Sequence, residues 1–335
     1  MKVLVVGGAG YIGSHTTYEL IRAGHEVVVL DNLSTGSVAN IHPQARFVWG
    51  DIRRKSDITR VLVTEAEAEG PVDVAMHFAA KLIVSESVSQ PLAYYENNVE
   101  GLRTMLEALV ECNVRNIVFS STAAVYGEPA TSECSETDAT KPINPYGETK
   151  LACEKMIAWV GAAHGLNSCI LRYFNVAGAD ASLEIGLDKD QLTWLVPLIM
   201  QAALGIREKL LIFGNDYETP DGTCIRDYIH VTDLAQAHVL GAEYILNNNA
   251  SVLANLGSGT GFSVRQVVDA ACELFEVPFE YAPRRPGDPA KLIARIDRAR
   301  ELLGWEPRHD LSTILKSDYD FRRKLAERTG RSAGR

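Results

Sequence analysis

Tyr146 and Lys150 stand four residues apart in the run Tyr146-Gly147-Glu148-Thr149-Lys150. On a helix that spacing brings a phenol and an ammonium to one face, where the cation favours the phenolate. A phenolate near neutral pH is a general base. Bringing a tyrosine from about 10 to near 7 takes roughly 4 kcal/mol, which a lysine and a second positive group can supply. Pro142 and Pro145 precede the pair and mark where the helix opens. Ser120-Ser121-Thr122 closes a predicted strand, the edge at which open α/β sheets hold ligands.

A second grouping lies at the amino end. Gly7-Gly8-Ala9-Gly10-Tyr11-Ile12-Gly13 directly follows an apolar run, and its glycines let backbone turn tightly against a pyrophosphate at a helix amino terminus. Gly7, Gly10 and Gly13 are the candidate contacts. Asp31 ends the next predicted strand, where an acid accepts hydrogen bonds from both ribose hydroxyls. A carboxylate there repels a 2′-phosphate, so the expected cofactor is NAD and not NADP.

These groups need a scaffold. Residues 2–6, 26–30, 72–77, 116–120 and 169–173 read as short strands, alternating with segments of helical period such as 98–112 and 146–164. That alternation predicts βα units on a parallel sheet. After Tyr173 the pattern loosens: 178–193 reads as loop, 209–213 as a short strand and 215–222 as a turn-rich tip. The expected fold is α/β, a doubly wound parallel sheet of Rossmann type with a smaller mixed α/β domain for substrate. The first domain is placed at 1–174, rejoined by about 225–258, and the second at 175–224 and 259–335.

With 33 Lys and Arg against 43 Asp and Glu, the chain carries −10 formal charges, which excludes a coat for nucleic acid or anionic membrane. No apolar run reaches the roughly 18 residues of a membrane span, and the opening MKVLVVGG is too short for a secretion signal. The expected location is cytoplasmic. Cys112, Cys134, Cys153, Cys169, Cys224 and Cys272 are scattered without ligand spacing, so neither a disulfide framework nor a metal site is expected. The basic end, RRKLAERTGRSAGR, is read as the fraying end of a last helix.

The glycine motif, Asp31, the strand-end Ser-Ser-Thr and Tyr-x-x-x-Lys, in this order, resemble the extended short-chain dehydrogenase/reductases. GGAGYIGSH, LDNLSTG, YYENNV, PYG-x-x-K, RYFN, IFGNDY, RDYIHV and RRPGDP narrow the resemblance to the UDP-glucose 4-epimerase family. It implies reversible hydride transfer to NAD through a 4-keto sugar, interconverting UDP-galactose and UDP-glucose. Tyr146 would take the C4 hydroxyl proton, Lys150 would hold it ionised, and Thr122 would hydrogen-bond the same hydroxyl. Around the cofactor the resemblance adds Tyr11, Ile12, Asn32, Asp51, Ile52, Phe78, Ala79, Asn97, Tyr173 and Phe174, with Tyr146 and Lys150. On the substrate it implies Asn175, Leu211 and Phe213 against uracil, Arg226 and Arg285 on the diphosphate, and Asp288 on the ribose. A homodimer through the helices near 98–112 and 146–164 is implied as well.

Three departures from the family pattern stand out. Leu82 occupies a place where many members have lysine, with Lys81 one position earlier, and Trp194 stands where Asn or His commonly meets uracil. Leu292, intermediate in size, sits where bulk limits N-acetyl groups. A nucleotide-sugar 4,6-dehydratase would need an acid pair after the threonine, and Ala123 and Ala124 transfer no protons. A non-catalytic NAD sensor would have no need of Thr122, Tyr146 and Lys150.

Overall fold

Runs of valine, leucine and isoleucine without polar alternation belong to strands covered on both faces. Lys2–Val6 (β1) is such a strand, with all five side chains buried. The computed structural model describes residues 1–129, 131–188, 193–284 and 289–329. Further strands are Glu26–Asp31 (β2), Arg46–Trp49 (β3), Val74–His77 (β4), Asn116–Thr122 (β5), Glu133–Cys134 (β6) and Asn167–Tyr173 (β7). Then come Asn175–Ala177 (β8), Leu210–Phe213 (β9), Ile225–Arg226 (β10), Tyr228–His230 (β11) and Val252–Leu256 (β12). Phe262–Ser263 (β13), Phe279–Ala282 (β14) and Lys291–Ala294 (β15) complete them. Helices are Tyr11–Arg22 (α1), Lys55–Ala68 (α2), Val84–Ser89 (α3), Pro91–Tyr94 (α4), Gly101–Glu111 (α5) and Pro145–His164 (α6). Leu195–Ala203 (α7), Val231–Asn248 (α8), Val264–Cys272 (α9), Asp297–Leu303 (α10) and Leu311–Thr329 (α11) follow.

Seven strands form one parallel sheet in the order β12-β7-β5-β4-β1-β2-β3, the doubly wound arrangement expected from the alternating pattern. Period-two alternation splits β1 between two cores: Val3 and Val5 join one cluster, Leu4 and Val6 the other. Leu20 of α1 and Ala237 of α8 cover the first face, while Ile58 of α2, Leu102 of α5 and Ile157 of α6 cover the second. A third core gathers Ile199 of α7, Ile212 of β9, Val267 of α9 and Leu315 of α11.

The segment expected as one helix over 98–112 begins instead as a π-helical turn, Tyr95–Glu100, that runs into α5. Such turns insert an extra residue and re-aim side chains, and this one carries Asn97 and Asn98. The run VLANLG returns to the large sheet as its edge strand, β12.

Candidate active site

Catalytic side chains come from two elements. β5 ends at Thr122, whose hydroxyl accepts from the Ala124 amide at 3.2 Å. Asn144 caps α6 by accepting from the Gly147 amide at 2.9 Å, and Pro145 occupies the first helical turn, so Tyr146 emerges at the helix mouth. The Thr122 hydroxyl stands close enough to the Tyr146 phenol to favour its ionised form. The Lys150 ammonium donates to the Ser120 carbonyl at 2.6 Å and stands 4.9 Å above the Phe119 ring. The Tyr173 phenol is hydrogen-bonded to the Ser120 hydroxyl. Ser120 thus joins Lys150 to Tyr173, and Thr122 sets the same strand end beside Tyr146.

The electrostatics differ from the simple pair read off the spacing. Burial pushes the Tyr146 phenol up to about 12, against which the Thr122 hydroxyl works. Burial likewise pulls Lys150 down to about 8. Desolvation disfavours both charged forms in the protein alone.

The glycine turn is built for close approach. Gly7 has φ +86°, and a Cβ on it would lie 2.5 Å from the Ala79 amide nitrogen; one on Gly13 would lie 2.3 Å from the Gly7 carbonyl oxygen. No side chain caps α1 at Gly10, so the Tyr11 and Ile12 end of the helix is open to an anion. Asp31 tightens this loop by accepting from the Ala9 amide at 3.0 Å and the Leu33 amide at 2.8 Å. Asn32 donates to Asp51 at 3.2 Å, and the Arg53 guanidinium holds that carboxyl well below the usual carboxylate range. Ile52 lies buried under Gly101, while Phe78 and Ala79 leave the end of β4. Phe174 leaves β7 on the same side of the sheet. Asn97 comes from the π-helical turn and donates to Asn98 at 3.0 Å.

Asn98 is a residue that sequence reasoning passed over. Its buried amide accepts from the Lys81 amide at 2.8 Å and donates to the Lys81 carbonyl at 3.0 Å and the Thr149 hydroxyl at 3.1 Å. Thr149 donates to the Tyr146 carbonyl at 2.8 Å. Asn98 therefore ties the loop after β4 to the first turn of α6, and the doubled asparagine of YYENNV was its one visible signal.

Beyond these groups lies a cleft of about 200 Å³ walled by Asn175, Trp194, Leu211, Phe213 and Arg226. Asp227 and Asp233, the next two carboxylates after Arg226 in sequence, hold backbone amides and a histidine. Asp227 accepts from Ser258, Gly259 and Ala294 amides, and Asp233 from Arg308 and His309. Leu292 pairs with Arg226 across β15 and β10 and packs against a core of the large sheet. Arg285 and Asp288 lie outside the described residues. The Lys81 ammonium stands 3.6 Å from Glu86 and Leu82 is exposed. His230 caps α8 through the Thr232 amide at 3.1 Å and stacks on His309, a structural role.

Residues 3–257 match the NAD dependent epimerase/dehydratase family. A UDP-glucose 4-epimerase of Halalkalibacterium halodurans is 48% identical over 97% of this chain and 96% of its own length. Among solved structures, UDP-glucose 4-epimerase from Brucella ovis in complex with NAD superposes with a TM-score of 0.91 at 44% identity, covering 95% of this chain and 97% of that one. UDP-glucose-4-epimerase from Stenotrophomonas maltophila, with bound NAD and formylated UDP-arabinopyranose, gives 0.94 at 38% identity over 98% and 99%.

Proposed function

The chain belongs to the NAD dependent epimerase/dehydratase family, and from that premise we propose an NAD-dependent 4-epimerase that interconverts UDP-galactose and UDP-glucose through a 4-keto sugar. The observation that carries this is the joining of Lys150 and Tyr173 through Ser120 at the ends of β5 and β7, with Thr122 beside the Tyr146 phenol. NAD, when bound along Gly7, Gly10, Gly13 and Asp31, supplies the hydride acceptor and donor and a cationic ring that offsets the cost of ionising the phenol. The close approach that Gly7 and Gly13 alone permit fits a pyrophosphate there. Tyr146 takes the C4 hydroxyl proton and Thr122 orients that hydroxyl. Lys150 holds the phenolate.

Around the cofactor this reading keeps Tyr11, Ile12, Asn32, Asp51, Ile52, Phe78, Ala79, Asn97, Tyr173 and Phe174. For the substrate it keeps Asn175, Leu211, Phe213, Arg226, Arg285 and Asp288. Grip on the nucleotide is remote from the reacting carbon, which lets the ketone turn its other face while bound. Ala123 and Ala124 offer no acid or base for elimination, against a 4,6-dehydratase. Purified protein given UDP-galactose and no added nucleotide should return UDP-glucose. Unchanged sugar, from protein that holds NAD and binds UDP, would end this reading. A parallel assay with UDP-N-acetylglucosamine decides whether Leu292 leaves room for the larger sugar.

We assign 1–174 and 225–258 to the cofactor domain and 175–224 with 259–335 to the substrate domain. The packing of Ala294, Ile296 and Trp305 on a core of the large sheet supports one further crossing of the boundary there. Trp159 on α6 is 77% exposed, a large apolar side chain whose cover favours a homodimer through that helix. Trp159→Glu should halve the mass seen by light scattering at micromolar concentration; an unchanged mass would remove this face from the interface. No described helix is long and apolar enough to cross a membrane. The six cysteines form no disulfide among the described residues, which suits a reducing compartment and supports a cytoplasmic enzyme.

A further inference from the structure

Behind the catalytic groups lies a buried polar row that the reaction itself does not use. Glu154 follows Lys150 by four residues and Tyr146 by eight, so the three share one stripe of α6. Its carboxylate accepts from the Ser121 hydroxyl, from Arg172 Nε at 2.9 Å and from Arg172 Nη2 at 2.6 Å. Glu154 is 6% exposed and Arg172 4%. Strand register sets Ser121, Arg172 and Asn255 side by side across β5, β7 and β12. Arg172 also donates to the Tyr126 phenol at 3.1 Å, which donates to Asn255 at 2.6 Å. Each member stands one residue before a strand end, Ser121 beside Thr122 and Arg172 beside Tyr173.

Stability alone gives little reason for this pair, because well-packed apolar side chains commonly replace a buried ion pair at no loss. The neighbourhood of Lys150 supplies a reason. Near it are Cys153 on α6, His77 on β4, Ser120 on β5 and, through Ser120, Tyr173 on β7, with Tyr146 one turn earlier on α6. Burial pushes the Cys153 thiol and the Tyr146 phenol up to about 12 and pulls His77 down to about 3, so in the protein without cofactor all three are neutral near pH 7. Burial keeps the Tyr173 phenol neutral as well. Glu154 is the standing negative charge among these described groups.

We propose that Glu154, braced by Arg172, is a positioning residue that holds Lys150 in its charged form and fixes α6 against the ends of β5 and β7. The inference deepens the epimerase reading and rests on it. Burial draws Lys150 down to about 8, and the charge of Glu154 opposes that fall. Removing the charge therefore lowers the pH at which Lys150 loses its proton.

The test compares the parent holoenzyme with Glu154→Gln, Glu154→Asp and the paired Glu154→Leu/Arg172→Met. Lys150 is followed by NMR in ¹³Cε-lysine-labelled protein, its resonance assigned by its loss in Lys150→Met. The Gln variant should move the Lys150 midpoint, and with it the alkaline limb of kcat, down by about one pH unit. Its kcat should fall about tenfold while KM for UDP-galactose and the affinity for UDP stay within about twofold. Asp keeps the charge and should restore most of the midpoint. Should the Gln variant misfold, the paired variant, which leaves no lone buried charge, should still show the lowered midpoint. Overturning results are a midpoint and limb unmoved in the charge-free variants, or an Asp variant that shifts as far as Gln. A parent without epimerase turnover would sink the functional reading instead, and the NMR midpoint would still judge the pair.

Discussion

The candidate catalytic groups at the sheet and the lining of the cleft are built on different principles. The sheet side is dense with buried polar contacts: Thr122, Ser120, Lys150, Arg172 and Glu154 are all under a tenth exposed, and each has a named hydrogen-bond partner. The cleft wall is made of short strands and loop ends, and its Leu211 and Phe213 alternate with the buried Leu210 and Ile212 of β9. A rigid setting suits groups that must meet one reacting carbon within tenths of an ångström. A wall of half-buried apolar and cationic side chains suits a nucleotide held by its far end while the sugar moves.

The sharpest way to break this contrast is Tyr146→Phe. Losing a positioned general base should cut kcat by about 10³ while UDP affinity persists; near-parent kcat would remove Tyr146 as base and with it the assignment of chemistry to the sheet side. Arg226→Met on the cleft wall should do the reverse. Loss of a charge-assisted contact should raise KM some ten- to a hundredfold with kcat within about threefold. An equal fall in kcat would show that this wall takes part in the chemistry as well.

The smallest effect concerns acid. Burial pulls His15 and His238 down to about 4 and His77 to about 3. All three belong to the sheet or its covering helices, and His238 packs 4.9 Å from Phe78. Folded protein thus binds fewer protons than unfolded protein between 6.5 and about 4, so stability is full above that window and falls as pH drops through it. Urea unfolding across that range should show the fall, and His238→Phe should make it shallower by about one proton. An unchanged slope would mean that His238 does not hold its neutral form in the fold.

Much of the sheet side was legible because its chemistry is contiguous. The glycine turn, Ser120-Ser121-Thr122 and Tyr146 with Lys150 each occupy a few adjacent residues at an element end. The strand Arg46–Trp49 escaped because it is exposed at both ends and only half-buried between, without a run or an alternation to notice. β10 and β13 are two residues each and leave no periodic signal at all. Spacing placed Tyr146 and Lys150 on one helix but said nothing of burial, which is why the phenol rises where the pair alone pointed downward. Glu154 and Arg172 meet across eighteen residues and Asn98 and Thr149 across fifty-one, distances over which no local pattern speaks.

The edge strand β12 has a consequence for how the chain is made. β7 pairs on one side with β5 and on the other with Val252–Leu256, which leaves the ribosome about eighty residues after Tyr173. At about 5–20 residues per second the nascent cofactor half spends several seconds with an apolar parallel edge open to any strand that passes. A fragment stopped at Tyr173 keeps that edge permanently, so the natural unit of independent synthesis reaches at least to Leu256.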